Sequence, residues 1–104
     1  MIAYFSIGNS DDKLTQAEWS EFCRAASKIA SRYAVHGVWF SLPSMEWQNA
    51  CWCVEFEGSS KVSNIGLKEQ FEDSLSELAE RFDQDSIAVV YAEETVFVQR
   101  EQRK

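Results

Sequence analysis

The 104-residue sequence contains only one proline and four glycines, which excludes the Pro- and Gly-rich compositions of disordered and fibrous chains. No apolar run approaches the roughly 18 continuous residues that a membrane-spanning helix needs. Basic residues number ten against seventeen acidic ones. They are scattered, so the clustered Lys and Arg that neutralise a phosphate backbone are lacking. These absences predict a globular protein with no membrane span and no direct nucleic-acid binding.

Cysteine is also scarce, with Cys23, Cys51 and Cys53 as an odd set. Cys51 and Cys53 are two residues apart, so on a strand they point to the same face, which is poor geometry for a mutual disulfide. The first residues, Met1 to Phe5, lack the basic lead-in and the cleavage site of a signal peptide. Reduced thiols and a cytoplasmic location are therefore expected.

What the chain does contain is enough apolar material for one core and a large acidic excess. Hydrophobic residues make up 45%, and the net charge is −7. An acidic surface suits a basic protein partner or a cation, or serves only for solubility. Residues 1–99 are predicted to form a single α+β domain, and residues 100–104 a polar C-terminal tail.

Hydrophobic periodicity predicts the order strand, helix, strand, strand, helix, strand. The predicted strands are Ile2–Ile7, Val35–Leu42, Trp47–Glu57 and Ile87–Tyr91, with a fifth over Thr95–Gln99. The first predicted helix starts at Thr15, and the second runs from about Ile65 to Phe82. This order matches a ferredoxin-like βαββαβ arrangement, an antiparallel sheet with both helices on one face. The fifth strand would add a C-terminal β-hairpin. A different order of strands in the sheet is the alternative.

Chain direction through this topology places three connections, residues 8–12, 43–49 and 83–86, at one end of the sheet. The polar side chains that they carry form an acidic rim, which consists of Asn9, Ser10, Asp11, Asp12, Glu46, Trp47, Gln48, Asn49, Asp83 and Asp85. Carboxylates, amides and an aromatic ring are typical of a polar recognition site. The alternative is that these Asn and Asp residues only shape turns. The spacing of a calcium-binding loop is absent, so neither a metal site nor a cofactor is predicted.

A second candidate surface is the sheet face that points away from the helices, here named the open face. Strand alternation places Tyr4, Trp39, Cys51 and Cys53 on it. Exposed apolar area of this kind usually marks an interface. Two alternatives follow, a homodimer through the open face and coverage of that face by the C-terminal hairpin.

Sequence signatures of catalysis are missing from the chain. It has no phosphate-cradling glycine loop, no G-x-S-x-G and no H-E-x-x-H. His36, the single histidine, is expected to cap the C-terminal end of the first helix. Cys51 and Cys53 have too few companions for zinc and no nearby base, so no catalytic residue is predicted.

Three segments carry a resemblance to a known family. They are residues 4–19, which include Gly8-Asn9-Ser10-Asp11-Asp12, residues 47–52, Trp47-Gln48-Asn49-Ala50-Cys51-Trp52, and residues 84–88, Gln84-Asp85-Ser86-Ile87-Ala88. The sequence resembles a family of small uncharacterised proteins of actinobacteria and their phages, over most of the chain. The resemblance implies a phage or phage-derived origin and transfers no activity and no catalytic residue.

These observations favour a non-catalytic binding protein that contacts a protein partner or a small polar ligand through the acidic rim. A phage-related or immunity-like inhibitor of a basic protein is one concrete version. The first alternative is a small enzyme with carboxylate or divalent-metal chemistry at the same rim. The second is a structural dimer module that uses the open face.

Overall fold

The computed structural model describes residues 1–9, 11–56, 61–92, 96, 98 and 100, without the side chains of residues 61–64. The helices and strands of this part are β1 (Ile2–Gly8), α1 (Gln16–Ala30), β2 (Ala34–Phe40), β3 (Asn49–Glu55), α2 (Lys61–Arg81) and β4 (Ala88–Ala92). The predicted α+β class, with two helices and a four-stranded antiparallel sheet, is confirmed. No helix in these ranges is long and apolar enough to cross a membrane.

The predicted fifth strand and tail fall mostly outside the described residues. Of the predicted strand over Thr95–Gln99, only Val96 and Val98 are described, and neither is assigned to a strand. Of the predicted tail, only Arg100 is described. The fifth strand and the coverage of the open face by a C-terminal hairpin therefore stay predictions.

The sheet has the order β2-β3-β1-β4, and each neighbouring pair is antiparallel. In the central pair, Phe5 lies opposite Trp52 and Tyr4 lies opposite Cys53. Residues opposite each other in an antiparallel pair share a face, and successive residues alternate between faces. Phe5 and Trp52 therefore define one face, and Tyr4 and Cys53 define the other.

Helix α1 begins with the predicted capping box. Thr15 Oγ1 accepts a hydrogen bond from Glu18 N at 3.2 Å, and Glu18 Oε1 accepts one from Thr15 N at 3.0 Å. These two bonds satisfy backbone donors that the first turn of a helix otherwise leaves unpaired. The buried side of the helix consists of Trp19, Phe22, Ala26, Ile29 and Ala30. The capping box fixes where α1 begins, and the spacing of its apolar residues turns one side of the helix toward the core.

The capping box predicts a pH-dependent contribution to stability. Hydrogen bonds from the Thr15 backbone and side chain lower the pKa of Glu18 from 4.5. A lowered folded-state pKa adds stability above the unfolded value, and this is lost as the pH falls through the folded value. We expect the stability difference between the wild type and Glu18→Gln to be constant from pH 6 to 7 and to shrink below about pH 4. Thermal melts across this range measure it, and a pH-independent difference would contradict the assignment.

Both helices pack on the face that carries Phe5 and Trp52. The Phe71 ring of α2 meets the Phe5 ring edge-on at 5.4 Å between centroids. Trp52 Nε1 donates a hydrogen bond to Ser27 Oγ of α1 at 3.1 Å. Because both described helices contact this face and strand residues alternate between faces, the opposite face, the open face, has no helix on it in the described ranges.

The connection between β2 and β3 is longer than the predicted Pro43–Glu46. Strand β2 ends at Phe40 instead of Leu42, and β3 begins at Asn49 instead of Trp47. Ser41 N donates to Asn49 O at 2.9 Å, which closes the ladder, and Met45 N donates to Leu42 O at 2.9 Å, which forms a turn. The longer connection carries apolar residues out of the sheet, where they have no partner strand.

Candidate functional site

Asn9 is the buried centre of the predicted acidic rim, with 3% of its surface exposed. Its Oδ1 accepts from Leu14 N at 3.0 Å, and its Nδ2 donates to Leu14 O at 3.0 Å and to Gln48 Oε1 at 3.1 Å. Its backbone N donates to Gln48 O at 2.9 Å. Because every side-chain polar atom of Asn9 is bonded inside the protein, Asn9 joins two connections and offers nothing to a ligand.

Asp11 and Asp12 lie at a turn in the β1–α1 connection, and Lys13 links this connection to the α2–β4 connection. Asp11 Oδ1 accepts from Lys13 N at 3.3 Å. Asp12 and Asp83 both have φ of 54°, a left-handed conformation that Asp tolerates better than most residues. Lys13 Nζ donates to Asp83 O at 2.9 Å and lies 3.5 Å from Asp83 Oδ2. Ser10 lies outside the described residues.

The β1–α1 and β2–β3 connections enclose a cleft of about 560 Å³, here named the hairpin cleft. Its lining consists of Asn9, Asp12, Gln16, Trp19, Phe40, Ser41, Leu42, Pro43, Met45, Glu46, Trp47, Gln48 and Asn49. Gln48 Nε2 donates to Gln16 Oε1 at 2.9 Å, which holds the hairpin connection against the start of α1. Asp12 and Glu46 are the charged groups in this lining, so the cleft is acidic and partly apolar.

The structure divides the predicted rim between separate places. Six of its residues line the hairpin cleft: Asn9, Asp12, Glu46, Trp47, Gln48 and Asn49. Asp11 and Asp83 are exposed beside it without lining it. Asp85 lines a different cleft of about 430 Å³, with Glu72 and Tyr91 among its neighbours. The nine described rim residues therefore do not form one cluster.

Seven residues of the hairpin cleft were not among the predicted site residues, and three of these are large, exposed apolar side chains. Phe40, Leu42 and Met45 are 57%, 61% and 58% exposed. A sequence signal existed, because large apolar residues flank Pro43 in a segment that is otherwise typical of a turn. The strand prediction over Val35–Leu42 concealed part of it by assigning Leu42 to the sheet, whereas β2 ends at Phe40.

The four residues predicted for the open face lie together on one side of the sheet. The rings of Tyr4 and Trp39 are 6.3 Å apart between centroids, and Tyr4 lies opposite Cys53 in the ladder. Cys53 is only 4% exposed, while Cys51 is half-buried. The neighbouring Cys53 thiol raises the pKa of Tyr4. The open face is thus partly covered by its own aromatic side chains.

The predicted role of His36 is wrong. The C-terminal cap of α1 is Ser31, whose backbone N bonds to Ser27 O. His36 lies in β2 at a register irregularity between Val35 and Gly37, and its Nε2 is 2.7 Å from Glu55 Oε1. The bulge turns the histidine toward β3 and away from the helix end, a displacement that strand alternation alone does not predict.

Groupings that would hold a metal are absent from the described ranges, where no three His, Cys, Asp or Glu side chains come together. Burial raises the pKa of the Cys23 thiol to about 11, which disfavours the reactive thiolate.

A scan against protein-family models, a search of curated proteins and a search of solved structures each gave no match. The site must therefore be interpreted from its own geometry.

Proposed function

We propose that this chain is a non-catalytic protein-binding module, which holds an apolar and basic segment of a partner protein in the hairpin cleft. One observation carries the proposal. Three large apolar side chains, Phe40, Leu42 and Met45, are more than half exposed in a cleft whose charged lining groups are Asp12 and Glu46. Because protein–protein interfaces combine an apolar centre with a polar rim, this arrangement suits a protein partner.

The exposed apolar surface of the hairpin cleft fits an interface of ordinary size. Four of the large hydrophobic residues found exposed in the described ranges line the cleft, namely Phe40, Leu42, Met45 and Trp47. Their exposed fractions, 45% to 61%, correspond to an apolar area on the order of 400 Å². A standard interface takes about 800 Å² from each partner, and somewhat more than half of that area is apolar.

Charge selects the kind of partner. The chain has a net charge of −7, and neither Lys nor Arg lines the hairpin cleft. A basic segment would be steered toward this surface, and an acidic one repelled. The immunity-like inhibitor of a basic protein, with its phage-related origin, is one form that such a module would take.

We also propose that the framework is ferredoxin-like. The strand order β2-β3-β1-β4 supports this arrangement, in which both helices cover one face. The contact of Phe71 in α2 with Phe5 and the hydrogen bond from Trp52 to Ser27 in α1 also support it. In this framework the β1–α1 and β2–β3 connections meet at one end of the sheet. The Asn9 bonds to Leu14 and Gln48 hold these connections in place. The hairpin cleft would then be a pre-formed site.

A selection from a random displayed-peptide library tests this proposal without knowledge of the natural partner. We expect the wild-type chain to enrich peptides that carry at least one large apolar residue and a net positive charge. The same selection on Met45→Ser should lose these sequences. Enrichment of acidic peptides, or an identical set on the wild type and on Met45→Ser, would contradict the proposal.

A further inference from the structure

Trp39 lies flat on the open face because residue 37 is glycine. A Cβ atom at Gly37 would come within 2.6 Å of Cη2 and 2.9 Å of Cζ2 of the Trp39 ring, far inside van der Waals contact. The indole therefore stacks on the backbone of its own strand, two residues back. Trp39 is still 54% exposed, so a broad aromatic surface remains accessible.

Tyr4 stands beside this indole, and the strand register places Glu55 further along the same face. The Tyr4 ring is 6.3 Å from the Trp39 ring with an interplanar angle of 33°, and Tyr4 is 38% exposed. Gly37, beneath the indole, lies opposite Cys53. Glu55 is the next same-face residue along β3, one step of about 7 Å. The 2.7 Å contact between His36 Nε2 and Glu55 Oε1 holds the carboxylate at that position.

The charges on this face are unbalanced. Among the described strand residues that share the face with Tyr4 and Cys53, none is Lys or Arg, and Glu55 is the carboxylate. The other titratable groups there are Tyr4, His36, Cys51 and Cys53. The chain as a whole is acidic. The face thus combines an accessible aromatic surface with a negative group and no basic residue on the described strands.

We propose that Trp39, Tyr4 and Glu55 form a binding site for an arginine side chain of a protein partner. A guanidinium group is planar and weakly hydrated, so it stacks on an aromatic ring while its N–H groups bond to a carboxylate. A lysine ammonium is a strongly hydrated point charge and gains less from a flat indole. This site lies on the open face and stands apart from the hairpin cleft, so either proposal can fail alone.

Titration of the full ¹⁵N-labelled chain with the peptide Gly-Ser-Arg-Ser-Gly tests this site by NMR. The indole N–H signal of Trp39 is expected to shift in proportion to peptide bound. Replacing arginine with the uncharged isostere citrulline should weaken binding by about tenfold, and lysine should bind between the two. The backbone amide signals of Tyr4 and Cys53 should shift with that indole signal in the wild type, and Trp39→Leu should abolish those shifts. Gly37→Ala should weaken binding by about fivefold, because it tilts the indole. Ile65→Ser, remote on α2, should change nothing.

Three results would overturn the proposal. The first is equal binding of the arginine and citrulline peptides by the wild-type chain, which needs no variant to fold. The second is an unchanged Trp39 indole signal at saturating peptide. The third is broadening of that signal with protein concentration alone, which would show that a second copy of the chain occupies the open face.

Discussion

Replacing Phe71 with alanine is expected to lower the free energy of unfolding by about 4 kcal/mol. The Phe71 ring is 0% exposed and meets the rings of Phe5, Tyr33 and Phe56 at 5.4, 5.5 and 5.2 Å between centroids. Removing it leaves a cavity where both the sheet and the segment after α1 lose an aromatic partner. Urea denaturation followed by far-UV circular dichroism measures the change.

Phe40→Ala is the matched control for this experiment. Phe40 is 57% exposed, and its ring lies 6.0 Å from the Trp52 ring between centroids, nearly perpendicular to it. The same deletion should therefore cost about 1 kcal/mol or less. Equal losses for the two variants would show that Phe71 is not at the centre of the core and that the packing of α2 on the sheet is wrong.

The second large effect is expected at Asn9, where alanine should lower the free energy of unfolding by about 3 kcal/mol. The substitution leaves the N–H and C=O groups of Leu14 without their side-chain partners in a buried place. Each unsatisfied buried group costs about 1 to 3 kcal/mol. The loss should also loosen the hairpin connection, because Gln48 loses its bond to Asn9.

Asn49→Ala is the matched control, because it removes the side chain of a different asparagine. Asn49 is exposed, and its Nδ2 reaches Trp47 O only at 3.5 Å, so its loss should cost less than about 0.5 kcal/mol. Amide hydrogen exchange then locates the effect. The backbone amides of Leu14 and of residue 9 should exchange faster in Asn9→Ala and at the wild-type rate in Asn49→Ala. If Asn9→Ala were as stable as the wild type, Asn9 would be free for a ligand and the structural assignment would be refuted.

Much of this fold was predictable from local patterns. The Thr15-Gln16-Ala17-Glu18 sequence placed the start of α1, because capping depends on neighbours three residues apart. In the same way, alternation along β3 identified Ala50, Trp52, Val54 and Phe56 as the core face, and all four are buried. Chain direction then placed the β1–α1 and β2–β3 connections together, where Asn9 contacts Gln48.

The remaining features depend on contacts that no local pattern encodes. His36 pairs with Glu55 because a bulge interrupts β2, and bulges shift which way a side chain points. Asn9 is buried instead of exposed because both of its amide atoms find the backbone of Leu14. Composition alone treats such a residue as an ordinary loop asparagine. The exposure of Leu42 likewise follows from the early end of β2 at Phe40.

Topology predicted one rim of polar residues, and the described ones are distributed over more than one cleft. Two carboxylates at about 4 Å repel by about 4 kcal/mol at an effective dielectric near 20, which disfavours tight clusters without a cation. Among the described rim residues, Asp83 lies beside Lys13 and Asp85 lines another cleft. What the hairpin cleft concentrates is apolar surface with a modest acidic character. That combination directs attention from metal chemistry to protein recognition.

The most direct test of the protein-binding claim is a calorimetric titration of the strongest selected basic peptide into three chains. These are the wild type, Met45→Ser and Ile65→Ser. Met45 and Ile65 are both 58% exposed, so the two variants remove similar apolar surface from different places. We predict that Met45→Ser binds at least about tenfold more weakly while Ile65→Ser stays within about twofold of the wild type. Equal affinities for all three chains would contradict a binding site in the hairpin cleft.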